Sequence, residues 1–286
     1  MDDSLRTTPL AKATAAIAKA LAYAVMILFT LMTVYPILWL IINSFKETKE
    51  FQVDQLALPK VPTLDNYSGA WRLGEFGKLI PNSFIYTIGA TLGIILFSAL
   101  AGFAFAKIQS RATKPLYGSF VLGILLTVQC LMIPLFLEVN LLQIYDTRFA
   151  VLLVYIGAGL PMGIYLTTEY IKSIPTALVE SARIDGARYF RIFWAIILPM
   201  IVPVATTLAI LNVTGIWNEF ALINILVSQT ELKSLPLGVF RFSGSLSSDY
   251  GKQFAALTIG MAPMLFFYVV FRRQITQGVA AGAVKG

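Results

Sequence analysis

Six apolar runs constrain this chain more than any other feature of its sequence. They lie near residues 20–42, 82–106, 116–137, 149–168, 194–218 and 254–271, and none contains an Asp, Glu, Lys or Arg. Each is roughly 18–25 residues long, the length a helix needs to cross the hydrocarbon of a bilayer. A mean hydropathy of +0.76, with only 13% of residues charged, excludes an ordinary soluble globular chain. The expected fold is all-α: a polytopic membrane protein of six transmembrane helices in one domain over residues 1–286.

The net charge of +7 invites a nucleic-acid partner, but its distribution argues against one. With the N-terminus inside, thirteen Lys and Arg fall in cytoplasmic segments and nine in outer loops of greater total length, and the outer loops carry most of the acids. Basic residues concentrated in short inner loops set topology. The expectation is a multi-pass protein of a bacterial or archaeal cell (inner) membrane, with both termini cytoplasmic and lipid, not nucleic acid, around it.

The chain has no histidine, which removes the commonest general base and the commonest metal ligand together. No catalytic residue and no metal site is expected. The single cysteine, Cys130, lies within the third run, so no intrachain disulfide can form. Gly244 to Lys252, GSLSSDYGK, superficially suggests a phosphate loop. It has six residues between its glycines instead of four, and Gln253 stands where a Ser or Thr would hold Mg²⁺. ATP hydrolysis is therefore not expected of this chain. The first run, about 23 residues with no cleavage site, reads as a retained span and not a signal peptide.

Between the runs, residues 1–19 read as a polar lead-in, weakly helical at best. Asn43 to Pro81 is the longest outer segment and has too little apolar surface for a domain of its own. Pro134 and Pro161, inside spans three and four, each free a carbonyl and predict kinks. Pro199 and Pro203 stand at the inner start of span five. A further apolar run in the outer loop from Glu219 to Gln253, ALINILV, is too short to span.

The longest polar interruption flanked by a helical capping pattern is Glu169 to Pro203. Ser173 and Pro175 suit a helix start, because proline in the first turn loses no hydrogen bond. Residues 176–185 read as one short helix, with Leu178 and Ala182 on one face and Glu180 and Arg183 on another. Gly186 stands where that helix should stop, since glycine takes the left-handed C′ conformation without a Cβ penalty. The order Glu180-Ser181-Ala182, Asp185-Gly186-Ala187, Ile197-Leu198-Pro199 resembles the EAA loop of ABC importer permeases, with Ser181 in place of the motif's first alanine. MIPLFLEVNLLQIYDTRFAVLLVYIGAGLPMGIYL resembles spans three and four of sugar-type permeases. GIWNEFALINIL and the terminal AAGAVKG resemble the fifth span and tail of the maltose and glycerol-phosphate type. The likeness covers about residues 20–286 and is loosest over 43–81.

The resemblance implies a maltose-type permease fold forming half of a translocation pathway for a carbohydrate. It also implies that loop 171–193 carries a coupling helix docking on an ATPase subunit through Glu180, Ser181, Ala182, Asp185, Gly186 and Ala187. The implied partners are a homologous second permease subunit, two cytoplasmic ATPase subunits and an extracytoplasmic solute-binding protein. No cofactor is implied in this chain, ATP and Mg²⁺ being bound by the partner ATPase. The tail from Gln277 would lie beside that ATPase.

Two other readings stay open from the residues. A permease of the same type could carry a non-sugar solute such as a glycerophosphodiester. An ion-coupled secondary transporter would ordinarily need an acid within the membrane, and only Glu219, at the outer end of span five, comes close. Gln129, Asn212, Asn218 and Glu219 are the candidates for lining a hydrophilic path, since side-chain amides offer both donors and acceptors to hydroxyls. Asn and Gln in spans equally serve to join helices.

Overall fold

The computed structural model describes the backbone of residues 9–108, 110–243 and 249–283, and side chains over a slightly shorter range. Within it every regular element is helical. The described residues cluster into two compact units, one of Met1–Ala70 with Ser245–Thr258, the other of Trp71–Gly244 with Ile259–Gly286. The expected tail contact from Gln277 onward and most of the GSLSSDYGK segment lie outside the described side chains.

In the first unit, helix α1 (Pro9–Asn43) begins well before the first apolar run, so the lead-in is helical from Pro9 onward. None of its apolar window is buried within the chain. Two short helices follow, α2 (Thr48–Val53) and α3 (Asp65–Leu73). The outer segment folds around a polar knot. Asn43, Ser44 and Lys46 are fully buried. Asn66 Nδ2 donates to the carbonyls of Ser44 (2.9 Å) and Lys46 (2.7 Å), and the Ser44 and Tyr67 hydroxyls share a bond of 2.6 Å. Lys46 Nζ donates to the Asp54 carbonyl at 3.1 Å, which gives this buried cation a polar partner. Trp39, Phe51 and Phe254 pack edge to face beside the knot.

The second unit is built on two long helices, α4 (Phe76–Lys107) and α7 (Arg148–Ser173). Small residues let them approach closely, as they do between membrane helices, where van der Waals packing substitutes for the hydrophobic effect. A Cβ on Gly102 would come within 2.6 Å of Thr167 Oγ1, and one on Gly163 would collide with Ser98. Helix α4 starts at Phe76, earlier than the expected residue 82, and polar groups near the start of the expected run hold the segment after α12. Asn82 Nδ2 donates to the carbonyls of Glu231 (2.6 Å) and Lys233 (3.0 Å), Tyr86 to that of Leu232 (2.6 Å), and Leu235 N–H to Ser83 Oγ (2.7 Å).

Among the described residues four helices are long and apolar enough to cross a membrane by themselves, and the count reaches six if each of two bent pairs is one span. The first pair replaces the unbroken run expected over 116–137. Helices α5 (Thr113–Gly123) and α6 (Val128–Leu141) meet at 108°. Ile124, Leu125 and Leu126 donate to carbonyls three residues back, a tightening that closes α5, and extended Thr127 redirects the chain. The break therefore falls at Ile124–Thr127. Pro134 sits inside helical α6, and Pro161 inside continuous α7.

The second pair replaces the run at 194–218. Helix α8 (Thr176–Ile184) and the short α9 (Tyr189–Ile192) lead into a π-helical turn at Phe193–Ile197, then α10 (Leu198–Met200) and, after a 70° bend, α11 (Val202–Trp217). Here two prolines flank the break. Pro199 has no N–H to give, and Leu198 N–H reaches back five residues to the Phe193 carbonyl. Pro203 likewise cannot donate, and Ile201 between the prolines leaves helical geometry at ψ 3°. Helices α12 (Ala221–Leu226), α13 (Leu235–Phe240) and α14 (Tyr250–Ala283) complete the chain.

Candidate functional site

The loop between α7 and α11 is organised by one apolar cluster. Ala99 and Phe103 of α4, Ile171 of α7, Ile174 just after it, Val179 of α8, and Ile192, Phe193, Ile197 and Ile201 beyond it are all buried together. Val179 is the one buried residue of α8. Burying a side chain of that size contributes about 1.5–3 kcal/mol and fixes which face of the helix turns inward. Leu178 and Ile184 remain outside, Ile184 at 86% exposure. Sequence reasoning placed Leu178 and Ala182 on one face and did not single out Val179. The helical period alone could not choose, because Leu178, Val179, Ala182 and Ile184 supply an apolar residue to nearly every side.

Helix α8 ends one residue before the expected 185, and its stop is complete. Gly186 has φ 80°, the left-handed region. Its N–H donates to the Arg183 carbonyl at 3.0 Å, and Ala187 N–H donates to the Ala182 carbonyl at 2.9 Å. These two bonds form a Schellman motif, and Ala182 and Ala187, half-buried against the cluster, supply the apolar contact that accompanies it. The start differs from expectation. Ser173 is the last residue of α7, its Oγ donating to Tyr170 O at 2.7 Å, and Pro175 flanks α8 with no side-chain cap. Arg183 lies over the Tyr189 ring, 5.2 Å from its centre, instead of pairing with Glu180. Glu180, Ser181 and Asp185 are exposed. The predicted site residues thus fall into two groups: Ala182, Gly186 and Ala187 make the stop, and Glu180, Ser181 and Asp185 face outward.

The path candidates are not brought together into one site. Gln129 is exposed near the α5–α6 break. Asn212 Nδ2 and Asn218 Nδ2 each donate to their own helix, to Leu208 O and Thr214 O, both at 2.8 Å. Asn212 also abuts α7, since a Cβ on Gly159 would lie 3.1 Å from its Oδ1. Glu219 is neither a free acid at a path mouth nor a solvated one. Its carboxylate accepts the Tyr155 hydroxyl at 2.6 Å and the N–H groups of Leu222 (2.6 Å) and Ile223 (3.1 Å). It caps α12 and ties it to α7, which the sequence could not show because Tyr155 is far away in the chain. Among the described residues no group of acids or sulfurs could hold a metal ion.

A family model described as the binding-protein-dependent transport system inner membrane component matches residues 8–280. The chain is 33% identical, over 91% of its length and 94% of the relative's, to a probable starch degradation products transport system permease protein of Thermoanaerobacterium thermosulfurigenes. It is 30% identical, over 93% of its length and 89% of the relative's, to a diacetylchitobiose uptake system permease protein of Streptomyces coelicolor. A putative ABC transporter permease protein of a Caldicellulosiruptor species is 34% identical over 90% of this chain and 94% of its own. The fold is similar to that of one chain in the crystal structure of a bacterial ABC transporter involved in importing the acidic polysaccharide alginate. The TM-score is 0.79, with 22% identity, 91% of this chain covered and 97% of that one.

Proposed function

We propose, for a chain that belongs to the family of binding-protein-dependent transport system inner membrane components, that it forms half of an ATP-driven import path for a carbohydrate. Proteins of this family are transport permeases and not enzymes, and the chain is accordingly a membrane-spanning transport subunit. The observation that carries the mechanistic part is the geometry of α8. It is anchored by Val179, stopped by Gly186, and exposes Glu180 and Ile184 one turn apart, with Leu178 exposed elsewhere on its surface. A short rigid helix with an apolar and acidic outer face is suited to seat in a cleft of a cytoplasmic ATPase. In this reading two such ATPases bind ATP and Mg²⁺, a second permease completes the path, and a solute-binding protein delivers substrate outside. Both termini lie in the cytoplasm.

A sugar substrate is supported by relatives whose names specify starch degradation products and diacetylchitobiose. Exposed Gln129 and Asn218 are the path-lining side chains this reading retains. Ion coupling loses its one candidate, because the Glu219 carboxylate is already held by three donors. Transport tests the reading in proteoliposomes holding the complete complex. Uptake should require ATP and every partner subunit, and should be indifferent to collapse of a proton or sodium gradient. Gradient-driven uptake by this chain alone would overturn it.

A further inference from the structure

The expected coupling path runs from α8 into the spans joined to it in sequence, α7 on one side and α9 to α11 on the other. The structure joins a third span. Lys107, the last residue of α4, donates from Nζ to the Ile174 carbonyl at 2.6 Å and to Thr176 Oγ1 at 3.3 Å. Ile174 follows the last residue of α7, Thr176 begins α8, and between them Pro175 has no N–H to anchor the turn. The two-residue hinge on which α8 would swing is therefore held by a cation from another helix. The Ile174 side chain lies buried in the cluster with Phe103, one turn before Lys107 on α4. A bond to a charged donor in a partly buried place is stronger than a neutral one and short, as here.

We propose that Lys107 is a positioning residue for coupling: it locks the start of α8 to the inner end of α4, so that force on α8 moves α4, α7 and α9–α11 as one body. The proposal rests on the reading of α8 as the element that docks on an ATPase. Without the lock, α8 still folds and docks, since Val179 and the Schellman stop are untouched. It then pivots about Ile174–Thr176, and part of its movement is lost before it reaches α4.

The test uses the complete complex in proteoliposomes, with transport and ATP hydrolysis measured in the same sample. Lys107→Met should retain co-purifying ATPase and its ATP turnover while solute moved per ATP falls about fivefold or more, a common size for coupling between sites. Lys107→Arg, which keeps the cation and its reach, should restore the ratio. An unchanged ratio in Lys107→Met overturns the proposal, as does loss of the ATPase from that variant or failure of arginine to rescue. Ile184→Glu, placed on the outer face of α8, distinguishes the underlying reading: it should release the ATPase whatever Lys107 does. If Ile184→Glu keeps the ATPase bound, it is the docking role of α8 that fails.

Discussion

A Cβ at Gly186 would meet no atom within 4 Å, so the need for glycine there comes from its φ of 80° and not from crowding. A side chain in that conformation costs about 1–2 kcal/mol, more when β-branched, while asparagine tolerates it. Gly186→Val should therefore insert in the membrane normally yet lose co-purifying ATPase and transport, whereas Gly186→Asn should keep most of both. Equal loss in the two variants would place the requirement on space, contrary to the geometry. Glu180→Ala should be mild, since exposed charges contribute below about 1 kcal/mol. Asp146 yields a second residue-scale prediction. Its own φ is 61°, and its carboxylate accepts from Ser228 N–H and Oγ and from Gln229 N–H and Nε2, all between 2.9 and 3.0 Å. Partial burial pushes this carboxyl up, but the bonds from Gln229 and Ser228 outweigh it and hold it below its ordinary value. A group depressed on folding contributes stability above its unfolded value, and that contribution is lost as pH falls through the folded one. Thermal melts of the wild type should thus lose more between neutral and strongly acid pH than those of Asp146→Asn, which starts less stable.

At the scale of elements, the sequence reveals where apolar runs are but not where they bend. Pro134 and Pro161 sit inside continuous helices, while the 108° bend falls at Ile124–Thr127, where no proline stands. Pro199 and Pro203 do coincide with a break, together with a π turn between Phe193 and Ile197. The α8 stop was legible because glycine's backbone freedom is a local property. Its inward face was not, because which of Leu178, Val179 and Ala182 is buried depends on Phe103 and Ile171, supplied from other helices. That dependence can be tested. Val179→Asp would place a carboxylate in an apolar cluster at a cost of several kcal/mol, so α8 should detach. Trypsin should then cleave faster at Arg183 and Arg188 in membrane vesicles opened to the protease, while Val179→Ile leaves cleavage near the wild-type rate. Unchanged cleavage of Val179→Asp would show that Val179 does not anchor the helix.

For the whole molecule, membership of the family accounts for a membrane component, but its orientation rests on charge. Spans without a single charged residue leave the loops to set topology, and the short basic loops follow the cytoplasmic bias. The structure adds that the two loops best suited to a test carry accessible serines: Ser68 on α3 and Ser110 just beyond α4 are both exposed. Cys130 is free and exposed, so it would report falsely and must first be replaced by serine. In that background Ser68→Cys should react with an impermeant maleimide added outside intact cells, and Ser110→Cys only after the membrane is opened. The same orientation would place α8, with Leu178 and Ile184 exposed, on the side where ATP is available. If Ser110→Cys labels from outside and Ser68→Cys does not, α8 faces away from the cytoplasm, and neither ATPase docking nor the role proposed for Lys107 can stand.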